Sequence, residues 1–119
     1  MEDNLLITLS KELAVAIIKS YKKILETNRI YAAILNQLLR SGTSIGANIH
    51  EGNYAVSKAD FINKFQIALK ECYETVYWLD VLKETEIIDK ETFDILHNKC
   101  SKIRMMLSAS IKTAKEKTN

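Results

Sequence analysis

The 119-residue sequence contains no proline, only three glycines and only two cysteines. Proline and glycine supply the tight turns of β-rich folds, so their scarcity disfavours such a fold and favours long helices with short connections. Two cysteines are too few to staple a small secreted domain. Cys72 and Cys100 lie within apolar helical patterns, and we expect both to be buried, reduced thiols.

Long apolar runs and a strong excess of one charge are also missing. No run approaches the roughly 18 apolar residues of a membrane span, and the acidic first four residues lack the basic region of a signal peptide. We therefore expect a cytoplasmic protein that has no membrane partner. A net charge of +2 and a hydrophobic content of 47% exclude disorder, and the length fits a single domain spanning residues 1–119.

Apolar residues recur at helical spacing in four segments. The predicted helices cover about residues 7–26, 29–52, 57–83 and 89–114. Ser57 and Asp89 are predicted to cap the third and fourth helices, and Gly52 is suited to a left-handed cap at the end of the second. Four helices of about 20 residues with short connections predict an all-α, antiparallel up-down-up-down four-helix bundle.

The predicted third helix is apolar on more than one side. Ile67 and Trp78 project away from its main apolar stripe and are interleaved with Glu71 and Glu74. Three neighbouring helices in one small bundle do not cover such a helix on all sides. We therefore expect Ile67 and Trp78 to contribute to a homo-oligomer interface. The alternative is a monomer in which Trp78 packs beneath a loop.

Residues 40–52 are unusual for a helix, because five of the first seven are glycine, serine or threonine. Gly42 and Gly46 are predicted to let another backbone or a large aromatic ring approach closely, at a cost in helix propensity of up to about 1 kcal/mol each. Gly42 falls within the apolar stripe, where Phe65 or Trp78 is a candidate to fill the space.

One polar side of the same predicted helix carries Arg40, Ser44, Asn48 and Glu51. Two interpretations of this side are open. The four side chains either form a structural hydrogen-bonded network or line the interior of an oligomer, where they bind a ligand.

Four blocks of the sequence carry a family resemblance: RSGTSIGANIHEG at 40–52, SKADF at 57–61, IALKE at 67–71 and ETVYWL at 74–79. Together they resemble the bacterial family of 23S ribosomal RNA intervening-sequence proteins, also labelled S23 ribosomal proteins. The resemblance covers nearly the whole chain. It implies an up-down-up-down bundle for which no enzymatic activity is established.

The same resemblance implies an oligomer and a class of partner. The family is similar to the accessory variability protein of diversity-generating retroelements, a barrel-shaped pentamer that binds nucleic acid together with a reverse transcriptase. By resemblance, we expect a homo-oligomer, with five as the implied number of subunits, and RNA or DNA as a partner. The ribosomal label describes genetic location and does not require membership of the ribosome.

The sequence after residue 97 holds more cations than acids. The candidate nucleic-acid-binding residues are Lys99, Lys102, Arg104, Lys112 and Lys115. On a helical wheel they spread around the exposed arc, so a solvated helix end that favours cations is the competing interpretation. A partner protein remains an alternative to nucleic acid, with the chain as an interaction scaffold or a purely structural oligomer.

The sequence does not contain the pattern of a common catalytic or metal site. Asp94 and His97 form one Asp-x-x-His pair, whereas a di-iron bundle requires repeated Glu-x-x-His pairs. Tyr54 stands where a zinc-protease helix beginning at His50 and Glu51 places its second histidine. We therefore expect no enzymatic activity, no metal and no cofactor.

Overall fold

Side-chain caps determine where the third and fourth helices begin. The computed structural model describes residues 2–117, and their side chains from residue 5 onward. The Ser57 hydroxyl accepts a hydrogen bond from the Asp60 amide at 3.0 Å, and the Asp89 carboxylate accepts one from the Thr92 amide at 2.7 Å. Each cap satisfies an amide that has no partner within the first helical turn. Both predicted caps are confirmed.

Four α-helices make up most of the chain: α1 (Glu2–Thr27), α2 (Ala32–Asn53), α3 (Lys58–Glu84) and α4 (Lys90–Glu116). α1 begins earlier than predicted, and Leu6 in its extension is fully buried in the core. The predicted start of the second helix is instead a short 3-10 turn, Arg29–Tyr31. The Asn28 side chain caps this turn by accepting a hydrogen bond from the Ile30 amide at 3.3 Å.

Each helix packs against two others. α1 contacts α2 and α4, and α3 also contacts α2 and α4, whereas α1 and α3 do not contact each other in the described structure. Short connections make consecutive helices run antiparallel, and the result is a rod of 53 × 21 × 20 Å. The predicted all-α four-helix bundle is confirmed.

All four helices contribute to one apolar core. Its fully buried side chains include Leu13 of α1, Ile45 of α2, Phe65 of α3 and Ile103 of α4. The spacing of three and four residues between core positions places them on one side of each helix. The core therefore runs along the whole rod and leaves the opposite side of every helix to solvent or to a partner.

Cys72 and Cys100 belong to this core and lie on facing helices. Both are buried and unpaired, as expected, and the Cys100 thiol donates to the Cys72 carbonyl at 3.6 Å. Hydrogen bonding with the Cys100 thiol, together with burial, raises the pKa of the Cys72 thiol. That thiol consequently stays protonated at neutral pH and packs as a small apolar group.

Two glycines allow α2 to lie close to α1. A Cβ atom added at Gly42 would collide with Cδ1 of Ile17, and one added at Gly46 would lie 3.3 Å from the Ser10 hydroxyl. The expectation that an aromatic ring fills the space beside Gly42 is wrong. Gly42 faces α1, whereas Phe65 and Trp78, the rings considered, both belong to α3.

Gly52 allows an equally close contact on the other side of α2. The expectation of a left-handed cap here is wrong, because α2 continues to Asn53 and no glycine has a positive φ. A Cβ atom at Gly52 would instead lie 2.6 Å from Cε1 of Phe65. The residue is small because a ring of α3 occupies the place of its side chain.

The two kinds of glycine contact predict different costs of substitution. Gly52→Ala places a methyl group against the rigid, buried Phe65 ring, and overpacking of this kind costs about 1–3 kcal/mol. Gly46→Ala requires the Ser10 side chain, 3.3 Å from the new Cβ atom, to shift by only a few tenths of an ångström, and it gains about 1 kcal/mol in helix propensity. In urea unfolding we expect Gly52→Ala to be clearly less stable than the parent and Gly46→Ala to be close to it. Equal stability of the two variants would contradict the assignment of Gly52 to ring packing.

Candidate functional site

A buried polar contact joins α2 to α3. Ser41 and Thr75 are both fully buried, and the Thr75 hydroxyl donates to the Ser41 hydroxyl at 3.0 Å. The Ser41 hydroxyl donates in turn to the Leu38 carbonyl at 3.4 Å, and Thr75 lies 2.8 Å from the Glu71 carbonyl. The two hydroxyls are thus satisfied within the bundle, and the contact fixes the relative position of the two helices.

An ion-paired cluster lies directly outside this contact. Arg40 of α2 pairs with Glu74, and its other terminal nitrogen lies 3.5 Å from a carboxylate oxygen of Glu71. The Trp78 indole N–H donates to the same Glu74 oxygen at 3.2 Å. We call Arg40, Glu71, Glu74 and Trp78 the Arg40 cluster. The hydrogen bond that Arg40 donates to Glu74 lowers the pKa of the Glu74 carboxyl.

Arg40 is much more exposed than Glu71, its partner in the Arg40 cluster. The Arg40 side chain is 51% exposed, whereas that of Glu71 is only 16% exposed. The second carboxylate oxygen of Glu71 is buried and has no hydrogen-bond partner in the described structure. An unpaired carboxylate oxygen carries a desolvation cost, so Arg40 offsets a charge that the fold places close to the core.

The two predicted interface residues, Ile67 and Trp78, lie on either side of Glu71 and Glu74 along α3. Ile67, Glu71, Glu74 and Trp78 form one stripe along α3, at the spacing of three and four residues that keeps side chains on one side of a helix. Ile67 and Trp78 are half-buried within a single chain, and Trp78 packs against the core. The more exposed aromatic side chains of α3 are Tyr73 and Tyr77, at 56% and 58%.

The predicted polar side of α2 does not form one continuous network. Arg40 reaches the carboxylates of α3, and Glu51 pairs with Lys64 of α3 at 2.8 Å. Between them, the Asn48 amide donates to the Ser44 carbonyl at 2.8 Å, and the Ser44 hydroxyl bonds the backbone of its own helix. The outer residues therefore link two helices, whereas the inner two bond within α2.

The predicted basic residues of α4 lie on two different sides of that helix. Lys99 and Lys102 line a groove beside α1, and Lys112 and Lys115 line another beside α3. Arg104 is half-buried and near enough to the buried thiols to influence their pKa. The five residues consequently do not make a single binding stripe.

The first of these sides continues onto α1. Next to the groove that Lys99 and Lys102 line is another groove between α1 and α4. It is lined by Lys99, by Lys11 and Lys19 of α1, and by apolar residues that include Val15. We call Lys11, Lys19, Lys99 and Lys102 the α1–α4 basic surface. Glu12 is the one acidic residue that lines these two grooves.

Lys11 and Lys19 are not among the predicted binding residues, because no local excess of positive charge marks them in the sequence. α1 carries acidic residues among its lysines, and only the fold brings these two lysines beside Lys99 of α4. A signal does exist in the sequence. Their separation of eight residues is close to two helical turns, which keeps both near one side of α1.

The histidines and their acidic neighbours are engaged in packing or ion pairs. His50 contacts Tyr54, and His97 stacks on Phe93 with ring centroids 5.0 Å apart, while Asp94 pairs with Lys90 at 2.8 Å. Between residues 2 and 117, no group of three or more His, Cys, Asp or Glu residues is arranged to hold a metal ion. None of the described helices combines the length and the apolar character that crossing a membrane requires.

A family model and a solved structure both relate this chain to the same protein family. A family model described as 23S rRNA-intervening sequence protein matches residues 2–109. The chain is also similar to a solved structure, a protein with unknown function from the S23 ribosomal protein family from Bacteroides thetaiotaomicron VPI-5482. The two sequences are 46% identical, the TM-score is 0.90, and the match covers 94% of this chain and 99% of that one. No curated protein matches this chain.

The lowered pKa of Glu74 predicts a contribution to acid sensitivity. Arg40 stabilises the ionised carboxylate in the folded state, so the folded pKa lies below the ordinary value of 4.5. The stabilisation is therefore complete above the unfolded pKa and is lost as the pH falls through the folded one. We expect Glu74→Gln to be less stable than the parent at neutral pH and to lose less stability on acidification, as measured by urea unfolding at a series of pH values.

Glu84→Gln is the matched control, because Glu84 is an exposed carboxylate of the same helix. It should reproduce the parental dependence of unfolding free energy on pH. An unchanged dependence in Glu74→Gln would show that the Arg40 cluster does not stabilise the folded state through this charge.

Proposed function

The chain belongs to the family of 23S rRNA-intervening sequence proteins, and from that membership we propose that it is a non-catalytic, self-associating four-helix bundle that binds RNA or DNA. The observation that carries the nucleic-acid part is the α1–α4 basic surface. Four lysines from two helices line neighbouring grooves there, with a single carboxylate beside them.

The α1–α4 basic surface is more strongly positive than the net charge of the whole chain suggests. The net charge of +2 is small, but charges separated by more than about 8 Å are largely screened at physiological ionic strength. A phosphate near the α1–α4 basic surface therefore interacts mainly with the lysines of that surface. Self-association would repeat the surface by symmetry and strengthen the attraction for a long polyanion.

Self-association is supported by the surface of α3. Ile67 and Trp78 are only half-buried within one chain, and the exposed tyrosines Tyr73 and Tyr77 extend the apolar area around α3. Because α3 lies diagonally across the bundle from α1, an interface there leaves the α1–α4 basic surface open. Five subunits is the number that the family resemblance implies.

The non-catalytic part is supported by the engagement of the two carboxylates whose spacing would suit acid–base chemistry. Glu71 and Glu74 lie three residues apart on one side of α3, and Arg40 holds both of them. Trp78 donates to Glu74 as well. These contacts make the pair part of the joint between α2 and α3.

Nucleic-acid binding is tested by removing lysines from each side of α4 in turn. The double variant Lys99→Gln/Lys102→Gln removes two charges from the α1–α4 basic surface. Since each lost phosphate contact lowers the slope of log K against log salt by about 1, we expect binding to fall by about tenfold or more at 0.1 M salt and the slope to fall by about 2. Fluorescence anisotropy with a labelled RNA and a labelled DNA gives both quantities.

The matched control is Lys112→Gln/Lys115→Gln, which removes the same charge from the other side of the same helix. It should retain the parental slope. Equal losses in the two double variants would contradict the assigned surface. No binding of any nucleic acid by the parent would contradict the function itself, and a co-purifying protein that resists nuclease treatment would then favour the interaction scaffold.

Self-association is tested by placing a charge on the α3 interface. We expect the parent to sediment as an oligomer at micromolar concentration and Ile67→Lys to shift toward the monomer, because the new ammonium group would have to lose its water in the interface. Ile95→Lys adds the same charge at a half-exposed isoleucine of α4 and should sediment like the parent. Helical circular dichroism confirms that both variants fold. A monomeric parent would contradict the proposal.

A further inference from the structure

The chemistry of the α1–α4 basic surface indicates which form of nucleic acid it takes. On the basis of the proposed function, we infer that this surface binds the sugar–phosphate backbone of a double helix, without regard to base sequence. Three features of the surface favour a double helix: the hydrogen-bond donors of its lysines, the absence of aromatic residues from its two grooves, and the rigidity of its two helices.

Lysine is the only cation on this surface. Its ammonium group is a point charge with rotatable donors, which suits a phosphate oxygen. Base edges are read mainly by planar forks and amides, through bidentate hydrogen bonds. Asn98 is the one amide side chain that lines the two described grooves. The surface thus has the groups for positioning a backbone and few of the groups for reading a sequence.

None of the exposed tyrosines lines the two grooves of this surface. Tyr73 and Tyr77 belong to α3, which does not contact α1 in the part of the chain that the structure describes. Tyr54 follows the end of α2. Proteins that bind single strands combine a basic groove with aromatic platforms on which bases stack, each worth about 1–3 kcal/mol. No aromatic residue lines either described groove, so an unpaired base gains little there.

The two helices fix the backbone positions of the four lysines. Lys11 and Lys19 are separated by about 12 Å along α1, and Lys99 and Lys102 by about 4.5 Å along α4. Both pairs lie along the long axis of the bundle, which is 53 Å in length. A duplex presents a stiff array of phosphates, about one charge per 1.7 Å of its axis. A flexible single strand would have to be ordered to match the lysines, at a cost in conformational entropy.

The test compares double-stranded and single-stranded probes of the same sequence. The probes are an RNA duplex and a DNA duplex of about 20 base pairs, longer than the roughly 40 Å of α4, with their separated strands and a second pair of duplexes of unrelated sequence. We expect both duplexes to bind about tenfold or more tightly than the strands, because stacking does not support the single strand. The unrelated duplexes should bind within about threefold of the first pair, and the RNA and DNA arms show which backbone is preferred.

Two variants connect the preference to the surface. Lys11→Gln/Lys19→Gln should weaken duplex binding and lower its salt slope by about 2, whereas Lys112→Gln/Lys115→Gln, on the other side of α4, should leave duplex affinity unchanged. Tighter binding of the single strands, or a large difference between unrelated duplexes, would overturn the inference. In either of these outcomes the proposed function survives if Lys11→Gln/Lys19→Gln still weakens binding. Absence of binding to every probe would instead contradict the proposed function.

Discussion

Small residues allow α2 to pack closely against both of its neighbours, α1 and α3. Gly42 and Gly46 let α1 approach one side. On the other side, Gly52 admits the Phe65 ring, and the buried Ser41 hydroxyl meets Thr75 of α3. Glycine lowers helix propensity by about 1 kcal/mol relative to alanine, so α2 is stable because of the contacts that its small residues permit.

This packing has consequences for the charges on the surface. On the α3 side, the close approach brings Arg40 within reach of Glu71 and Glu74. On the other side, α1 is held against both α2 and α4, and lysines from two distant parts of the sequence come to line neighbouring grooves. The Arg40 cluster and the α1–α4 basic surface are thus separate products of one arrangement of helices, the first joining helices and the second open to a polyanion.

Local chemistry made much of the fold predictable from the sequence. Ser57 and Asp89 cap their helices through hydrogen bonds to amides only three residues away, and such contacts leave a clear sequence signal. The apolar stripes likewise predicted the core, because helical periodicity decides which side of a helix is buried. The 3-10 turn before α2 was missed, since its departure from an α-helix involves only residues 29–31.

Contacts between distant residues were less predictable. Gly52 stands where the second helix is predicted to end, as a capping glycine does. Only the position of Phe65 explains why the residue is small. Ile17, and not an aromatic ring, fills the space beside Gly42 for the same reason: the sequence does not say which neighbour each side of α2 faces. Lys11 and Lys19 gained their place beside Lys99 in the same way. The close approach at Gly42 and Gly46 was predictable from their size, whereas the partner at each of these positions depended on the packing of helices.

We propose that phosphate binds where α1 and α4 lie side by side. Lysine acylation, read by mass spectrometry with and without a bound RNA or DNA, measures this directly, because a lysine in contact with phosphate is protected from the reagent. We expect protection of Lys11, Lys19, Lys99 and Lys102, with Lys112 and Lys115 modified as in the free protein. Protection confined to Lys112 and Lys115, or none at any lysine under conditions in which the nucleic acid is bound, would contradict it.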